Sequence, residues 1–188
     1  MSKSSEHIGL IFRQLKSVDE DDFEVSWMLY CNAFPVDERR QLDVQSVIMQ
    51  QSRYRYEVVY SGSIFVGILL WWQFDNSVYL EHLATTEGMR GKGVGRAMIK
   101  QFLQGLAQKV ILEVELPNSP LNRRRIAFYE RLGFVLNEYE YQQMPMRRGG
   151  AEVDLMLMTY PGTIKEVDVV DFKKEYERNC FSPVANYI

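Results

Sequence analysis

The sequence predicts a mixed α/β domain of the α+β type, and three observations lead to this fold class. An aromatic stripe at helical spacing lies near the start of the chain, a series of hairpin-connected strands follows, and strands then alternate with helices. Of the 188 residues, 46% are hydrophobic and 13% aromatic, which supports one buried core and excludes disordered and collagen-like classes. We therefore expect a single unit before about Pro161.

The first half of the chain is predicted to form a strand, two helices and an antiparallel meander. Aromatic residues recur every three or four positions along one helical face, namely Phe23, Trp27, Tyr30 and Phe34. Pro35 then ends this helix. The other predicted elements are a strand over 10–15, a helix over 41–50, and strands over 54–60, 63–74 and 78–85. Turns of hairpin length separate the last three strands, so they are expected to form a meander.

The second half is predicted to alternate strands and helices. Ser119 and Pro120 form a favourable N-cap and first-turn pair for a helix that Gly133 ends. The other predicted elements are a helix from about Gly93, a strand over 110–116, and a hairpin with strands over 134–142 and 153–160. After Pro161, residues 171–178 have the pattern of a short amphipathic helix with Asp171 or a neighbour at its start. We accordingly divide the chain into a domain over 1–161 and a C-terminal tail over 162–188.

The most informative segment is a glycine-rich loop between a predicted strand and a predicted helix. Its sequence is Arg90-Gly91-Lys92-Gly93-Val94-Gly95-Arg96. Glycines at alternate positions let successive backbone N–H groups converge on an anion, and the helix start and three basic side chains add positive charge. The spacing fits neither a P-loop nor a dinucleotide fingerprint. The loop indicates a phosphate-bearing ligand, with a flexible solvated turn as the alternative.

Two motifs together resemble the GNAT family of N-acetyltransferases. The first is Arg90-x-x-Gly93-x-Gly95, which is similar to the acetyl-CoA signature of that family and follows a strand over 80–85 that also fits. The second is Asn122 followed by Phe-Tyr-Glu-Arg-Leu-Gly-Phe at 128–134. Two motifs in register are far more specific than either one alone.

The resemblance covers about residues 8–160 and implies a GNAT-like fold, with a central, mostly antiparallel, twisted sheet flanked by helices. It departs from the family pattern at Arg125, where a small residue is usual. The implied activity is acetyl-CoA-dependent N-acetyl transfer to a primary amine, by direct attack of the amine on the thioester.

The resemblance also implies how acetyl-CoA is bound. The expected binding residues are Leu83, Ala84, Thr85, Arg90, Gly91, Lys92, Gly93, Val94, Gly95, Arg96 and Asn122. The loop amides would bind the CoA pyrophosphate, and the backbone over 83–85 would pair with the pantetheine arm as an added strand. A backbone N–H near Leu83 would stabilise the oxyanion.

Two residues are candidates for the proton transfers. Tyr129, on one helix face with Asn122 and Arg125, matches the family's general acid for the leaving thiolate; its alternative role is helix packing. Glu81 lies where the family often keeps a carboxylate that takes the proton of the amine, and an ion-paired or solvent-facing Glu81 is the open alternative. Strand alternation places His82 on the opposite face, as a core or surface histidine.

The sequence gives the least information about the binding site of the acceptor amine. The family fold frames it with residues 34–40 and 139–148, whose mixed charges select no substrate class. Arg125 would bind a substrate carboxylate or a CoA phosphate, or would be a solvated charge. We expect a small-molecule, peptide or protein amine as the partner, and a homodimer is an open option.

The composition indicates which other kinds of partner are not expected. With 25 acidic and 22 basic residues and a net charge of −3, nucleic acid and membrane surfaces are poor candidates. Cys31 and Cys180 have no zinc-type spacing, so we expect no metal and reduced thiols. The polar residues 1–7 lack the apolar run of a signal peptide, which favours a cytoplasmic location.

Two hypotheses from other classes stay open beside the enzyme. One is a catalytically silent GNAT-like domain that binds or senses CoA or acyl-CoA. The other is a structural domain that binds no nucleotide.

Overall fold

A computed structural model describes residues 9–187 of the chain. The prediction about the N-terminal residues 1–7 therefore lies outside the described residues. The helices and strands, in chain order, are β1 (Leu10–Leu15), α1 (Phe23–Ala33), α2 (Leu42–Met49), β2 (Tyr54–Ser61), β3 (Ile64–Gln73), β4 (Ser77–Thr85), α3 (Val94–Gln104), β5 (Lys109–Glu115), α4 (Pro120–Glu130), β6 (Val135–Gln143), β7 (Val153–Tyr160) and α5 (Glu166–Tyr176). Within 9–187, no helix is both long enough and apolar enough to cross a membrane.

Local signals position several of these elements as predicted. The Ser119 hydroxyl accepts a hydrogen bond from the backbone N–H of Asn122 at 3.1 Å, so the predicted N-cap of α4 is present. The prediction that the C-terminal helix starts at Asp171 or a neighbour is wrong, since α5 begins at Glu166. Its first turn contains Glu166 and Asp168, and the Asp168 carboxylate accepts a hydrogen bond from the backbone N–H of Lys165 at 2.8 Å.

The strands form one seven-stranded sheet in the order β1-β2-β3-β4-β5-β7-β6. All neighbouring pairs are antiparallel except β4 and β5, which run parallel. The predicted class, a mostly antiparallel sheet flanked by helices, is thus confirmed. The parallel pair matters for function, because its two strands do not stay together along their whole length.

The core lies on both faces of this sheet. One hydrophobic cluster packs α1, α2 and α5 against one face, and the other packs α3 and α4 against the opposite face. Phe172 and Tyr176 of α5 contact Tyr79 of β4, with ring centroids 5.3 and 5.7 Å apart. The C-terminal segment is therefore packed into the same core as the central strands.

Candidate active site

β4 and β5 stop pairing partway along their length, and a cavity opens between them. The last pair of the parallel ladder is Leu80 with Leu112, yet β4 continues to Thr85 and β5 to Glu115. Over this stretch β4 remains paired with β3 on its other side, so one backbone edge of β4 faces the opening. The opening leads into a cavity of about 720 Å³ lined by both strands, which we call the splay cavity.

The glycine-rich loop forms a second cavity beside the first. Gly91 and Gly93 have φ angles of 74° and 80°, a left-handed conformation that favours glycine, and Gly93 is the N-cap of α3. The loop and α4 surround about 550 Å³, which we call the loop cavity. The two cavities share lining residues, namely Leu83, Thr85, Arg90, Phe128 and Arg131. A ligand that is long and anionic at one end is able to run from one cavity into the other.

Most of the residues predicted to bind CoA line these two cavities. Those in the lining are Leu83, Ala84, Thr85, Arg90, Gly91, Gly93, Val94, Gly95 and Arg96. Lys92 and Asn122 are not in the lining of either cavity. The Asn122 side-chain amide donates to the backbone carbonyl of Leu116 at 2.8 Å, which ties the start of α4 to the end of β5.

Tyr129 reaches the splay cavity from α4. Its side chain is 9% exposed and packs against Phe128 and Phe134, with ring centroids 5.1 and 5.5 Å away. Burial raises the pKa of Tyr129 to about 12, and the nearby Arg125 only partly opposes this shift. The phenol is therefore protonated at neutral pH and is able to act as a proton donor.

Glu81 lines the same cavity, but its carboxylate is held by an arginine. Arg40 donates to both carboxylate oxygens at 2.5 and 2.6 Å, and the Trp72 indole N–H donates at 3.1 Å. Burial acts to raise the pKa of Glu81, but the charge and hydrogen bonds of Arg40 outweigh it and lower the pKa to about 2. The role of Glu81 as the base stays a prediction, and these surroundings give its carboxylate little affinity for a proton.

A β-bulge in β4 changes the direction of the residues around Glu81. The register between β3 and β4 shifts at Leu70 and Trp71, so that Glu81 is the extra residue opposite them. The prediction that His82 points to the opposite face from Glu81 is therefore wrong, because its Nδ1 lies 3.5 Å from a Glu81 oxygen. The His82 ring is buried between Tyr30 and Phe34, as expected for a core histidine.

Glu113 of β5 was missed by the sequence reasoning. Its carboxylate lines the splay cavity and accepts hydrogen bonds from the hydroxyls of Tyr79 and Tyr141 and from the Gln143 amide. Burial raises the pKa of Glu113 to about 7, although the hydrogen bonds from Tyr141 and Tyr79 act to lower it. The only sequence signal was a charged residue between Leu112 and Val114 in a mostly apolar strand.

Arg125 has a partner of its own on β5. It forms a salt bridge with Glu115, and both residues line the splay cavity beside Tyr129. Neither cysteine forms a disulfide. Among residues 9–187, no group of three or more His, Cys, Asp or Glu side chains is arranged to hold a metal ion.

Comparison with known proteins assigns this fold to the acetyltransferases. The family model "Acetyltransferase (GNAT) domain" matches residues 52–136, which include β4, the glycine-rich loop and α4. No curated protein matches the chain.

Solved structures agree with the family model. A protein described as a GNAT-family acetyltransferase from Bacteroides thetaiotaomicron is 26% identical, with a TM-score of 0.82 over 89% of this chain and 96% of that one. The ribosomal-protein-S18-alanine N-acetyltransferase of Escherichia coli is 20% identical, with a TM-score of 0.59 over 84% and 97%. Arabidopsis thaliana Naa50, solved with the bisubstrate analogue CoA-Ac-MVNAL, is 16% identical, with a TM-score of 0.57 over 82% and 99%.

The predicted resemblance to the GNAT family is therefore confirmed by the family model over residues 52–136 and by solved acetyltransferases of the same fold. This fold supports acetyl transfer as the general class of activity.

Proposed function

We propose that this protein is an acetyl-CoA-dependent N-acetyltransferase that acts on the primary amine of a small molecule or peptide. The observation that carries the proposal is the opening between β4 and β5. It brings together a free strand edge, the loop cavity, Tyr129 from one face of the sheet and Glu113 from the other.

The shape and charge of the two cavities fit acetyl-CoA. The loop cavity contains Arg90, Arg96 and Arg131 beside the start of α3, and this positive charge suits a pyrophosphate. The free edge of β4 over 83–85 is able to pair with the amide groups of a pantetheine arm, which would lead the thioester into the splay cavity. Naa50, a neighbour in fold, was solved with an analogue that joins CoA to a peptide.

Acetyl-CoA supplies the acetyl group as a thioester that an amine attacks directly. The amine nitrogen forms the new N–C bond, and the C–S bond breaks. Tyr129, protonated at neutral pH, gives its phenolic proton to the departing thiolate sulfur. A backbone N–H near Leu83 stabilises the negative charge that develops on the carbonyl oxygen.

The proton of the amine has two candidate acceptors, Glu81 and Glu113. Glu113 is supported by its place in the splay cavity and by a pKa of about 7, which allows it to accept a proton at neutral pH and to release it afterwards. The ion pair with Arg40 leaves Glu81 better suited to fix the position of Arg40 and of the loop before α2. We therefore propose Glu113 as the general base.

A first experiment measures release of the CoA thiol from acetyl-CoA with a panel of primary amines. Tyr129→Phe is expected to lower kcat by about 100-fold or more, which is typical of losing a general acid. Tyr60→Phe, a change at a partly exposed tyrosine of β2, serves as the matched control and keeps wild-type turnover. Wild-type turnover in Tyr129→Phe would contradict the assigned role.

A second experiment measures the rise of the melting temperature that CoA causes, because a ligand that binds only the native state must stabilise it. Gly93→Asp places a negative charge at a left-handed position of the loop and should abolish the rise. Gly105→Asp, at the other end of α3, should not. A CoA-dependent rise without acetylation of any amine would favour the silent sensor instead, and no rise at all would favour a domain that binds no nucleotide.

A further inference from the structure

Hydrogen-bond acceptors line one half of the splay cavity. We define this acceptor half by four residues, Glu38, His82, Glu113 and Gln143. The splay cavity shares Arg90 and Arg131 with the loop cavity, and Arg124 and Arg125 of α4 also line it. Two of the four residues of the acceptor half are glutamates, and none is a lysine or an arginine.

The two carboxylates of the acceptor half lack a salt-bridge partner, although the charge of Arg125 acts on Glu38 and opposes part of its pKa shift. Glu38 and Glu113 form no salt bridge with any residue in 9–187, whereas the other two glutamates of the cavity each have an arginine, as described above. Burial raises the pKa of both unpaired carboxylates. A cation that enters this half of the cavity would relieve the cost of burying them.

One further acceptor atom in this half, on Gln143, has no hydrogen-bond partner. Gln143 is 4% exposed; its amide nitrogen donates to the Glu113 carboxylate, so its Oε1 is the atom left over. His82 is 5% exposed and contacts the backbone carbonyl of Glu38 through Nε2 at 2.9 Å. Its Nδ1 lies 3.5 Å from a Glu81 carboxylate oxygen, so both ring nitrogens already face an oxygen of the protein. A buried acceptor without a partner, next to the Glu113 carboxylate, indicates a ligand that brings an N–H donor.

We propose that the acceptor is an aliphatic amine that carries a second positive charge and has no carboxylate near the reacting nitrogen. This proposal rests on the N-acetyltransferase function proposed above and names the substrate class of the same site. The reacting group arrives as an ammonium ion and gives one proton to Glu113, so that the neutral amine attacks the thioester. The second proton, which the nitrogen loses as the amide forms, replaces the proton that Tyr129 gives to the thiolate, and before attack an N–H group of the amine donates to an acceptor such as Gln143 Oε1. The second cation compensates the charge of Glu38. A carboxylate on the acceptor would meet two like charges and be disfavoured.

Three amines of equal chain length test the proposal: 1,4-diaminobutane, butylamine and 4-aminobutyrate. For the wild-type protein with saturating acetyl-CoA, kcat/KM is expected to fall about tenfold from the diamine to butylamine. A further fall of tenfold or more is expected for 4-aminobutyrate. A factor of ten corresponds to one charge-assisted hydrogen bond.

Variants of Glu38 test whether this residue recognises the second positive charge of the acceptor amine. Glu38→Gln should lower the ratio of kcat/KM for the diamine over butylamine to near one, and Glu38→Lys should reverse the preference toward 4-aminobutyrate. Asp37→Asn removes the same charge from an exposed neighbour outside the cavity, and it should keep the wild-type ratio. If Glu38→Lys does not fold, the ratio of kcat/KM values measured for Glu38→Gln still tests the role of Glu38.

The outcomes separate the two proposals. Equal kcat/KM values for the three amines, or a wild-type ratio in Glu38→Gln, would overturn the substrate class while acetyl transfer to amines stands. If CoA raises the melting temperature but none of these or other amines is acetylated, the N-acetyltransferase function fails and the substrate class fails with it.

Discussion

Replacing Glu113 by glutamine should change the pH dependence of catalysis. In the wild-type protein, Glu113 accepts the amine proton only when it is ionised, and its pKa is about 7. We therefore expect kcat/KM to rise with pH through an apparent pKa near 7. Glu113→Gln should lower kcat/KM by about 100-fold above pH 7, within the range that general bases contribute. The step near pH 7 should disappear, leaving only the ionisation of the amine itself.

The same substitution should change stability, and the sign follows from the direction of the pKa shift. Glu113 has a pKa of about 7 in the folded protein against an ordinary value of 4.5, so the folded state binds more protons between these values. The free energy of unfolding must therefore fall as pH rises from about 4.5 to 7. A shift of this size corresponds to at most about 3 kcal/mol, and solvent in the cavity reduces it. Glu113→Gln removes this pH-dependent loss.

The assays are thiol release for kcat/KM and urea unfolding for stability, each measured from pH 5 to 9. Glu138→Gln, at an exposed position of β6 outside the splay cavity, is the control and should follow the wild type in both. A Glu113→Gln protein that keeps the step near pH 7 would refute the assignment. Loss of that step in a folded Glu81→Gln protein instead would make Glu81 the base.

Three substitutions test the frame around the site. Gly67→Ala would place a Cβ in steric conflict with the backbone oxygen of Ala84, so we expect a loss of about 1–3 kcal/mol in unfolding free energy and a higher KM for acetyl-CoA. An unchanged KM would show that β3 does not set the position of the β4 edge. Arg40→Leu leaves the Glu81 carboxylate buried and unpaired, and urea unfolding should show a loss of about 3–5 kcal/mol at neutral pH, smaller at low pH where Glu81 is protonated. A loss that does not depend on pH would argue against an ion pair. Ser119→Ala removes the N-cap of α4 and should lower the free energy of unfolding by about 1 kcal/mol, again measured by urea unfolding. An unchanged free energy would show that solvent replaces the hydroxyl.

Features that depend on neighbouring residues in the sequence were predictable. The cap of α4 at Ser119 and the glycines at 91 and 93 follow from short-range rules on hydrogen bonding and backbone conformation, and the structure places them in these roles. The motif spacing placed the loop and Tyr129 on the elements where they are found. Their convergence on adjoining cavities came from the family resemblance and not from the local rules.

Features that depend on pairing between distant residues were not predictable. Simple alternation along β4 fails at Glu81, because a bulge adds one residue opposite Leu70 and Trp71. The ion pair of Glu81 with Arg40 joins residues that are far apart in the sequence. Nothing near Glu81 in the sequence therefore indicated that its carboxylate is bound by an arginine. The raised pKa of Glu113 likewise arises from burial between distant elements, which the hydrogen bonds from donors on β4 and β6 only partly oppose, and no local pattern connects these residues.

The C-terminal segment is predicted from the sequence to be a separate tail. In the structure it supports Glu113, the proposed base, by packing on two tyrosines that contact this residue. Phe172 and Tyr176 of α5 pack on Tyr79, and Phe172 also contacts Tyr141 at 5.8 Å between ring centroids. These two tyrosines donate their hydroxyl hydrogens to Glu113. Removing α5 would let water reach the Glu113 carboxylate and the tyrosine hydroxyls that donate to it. The burial that raises the pKa of Glu113 would then be lost. The segment beyond the matched family model therefore helps to set the proton affinity at the centre of the site.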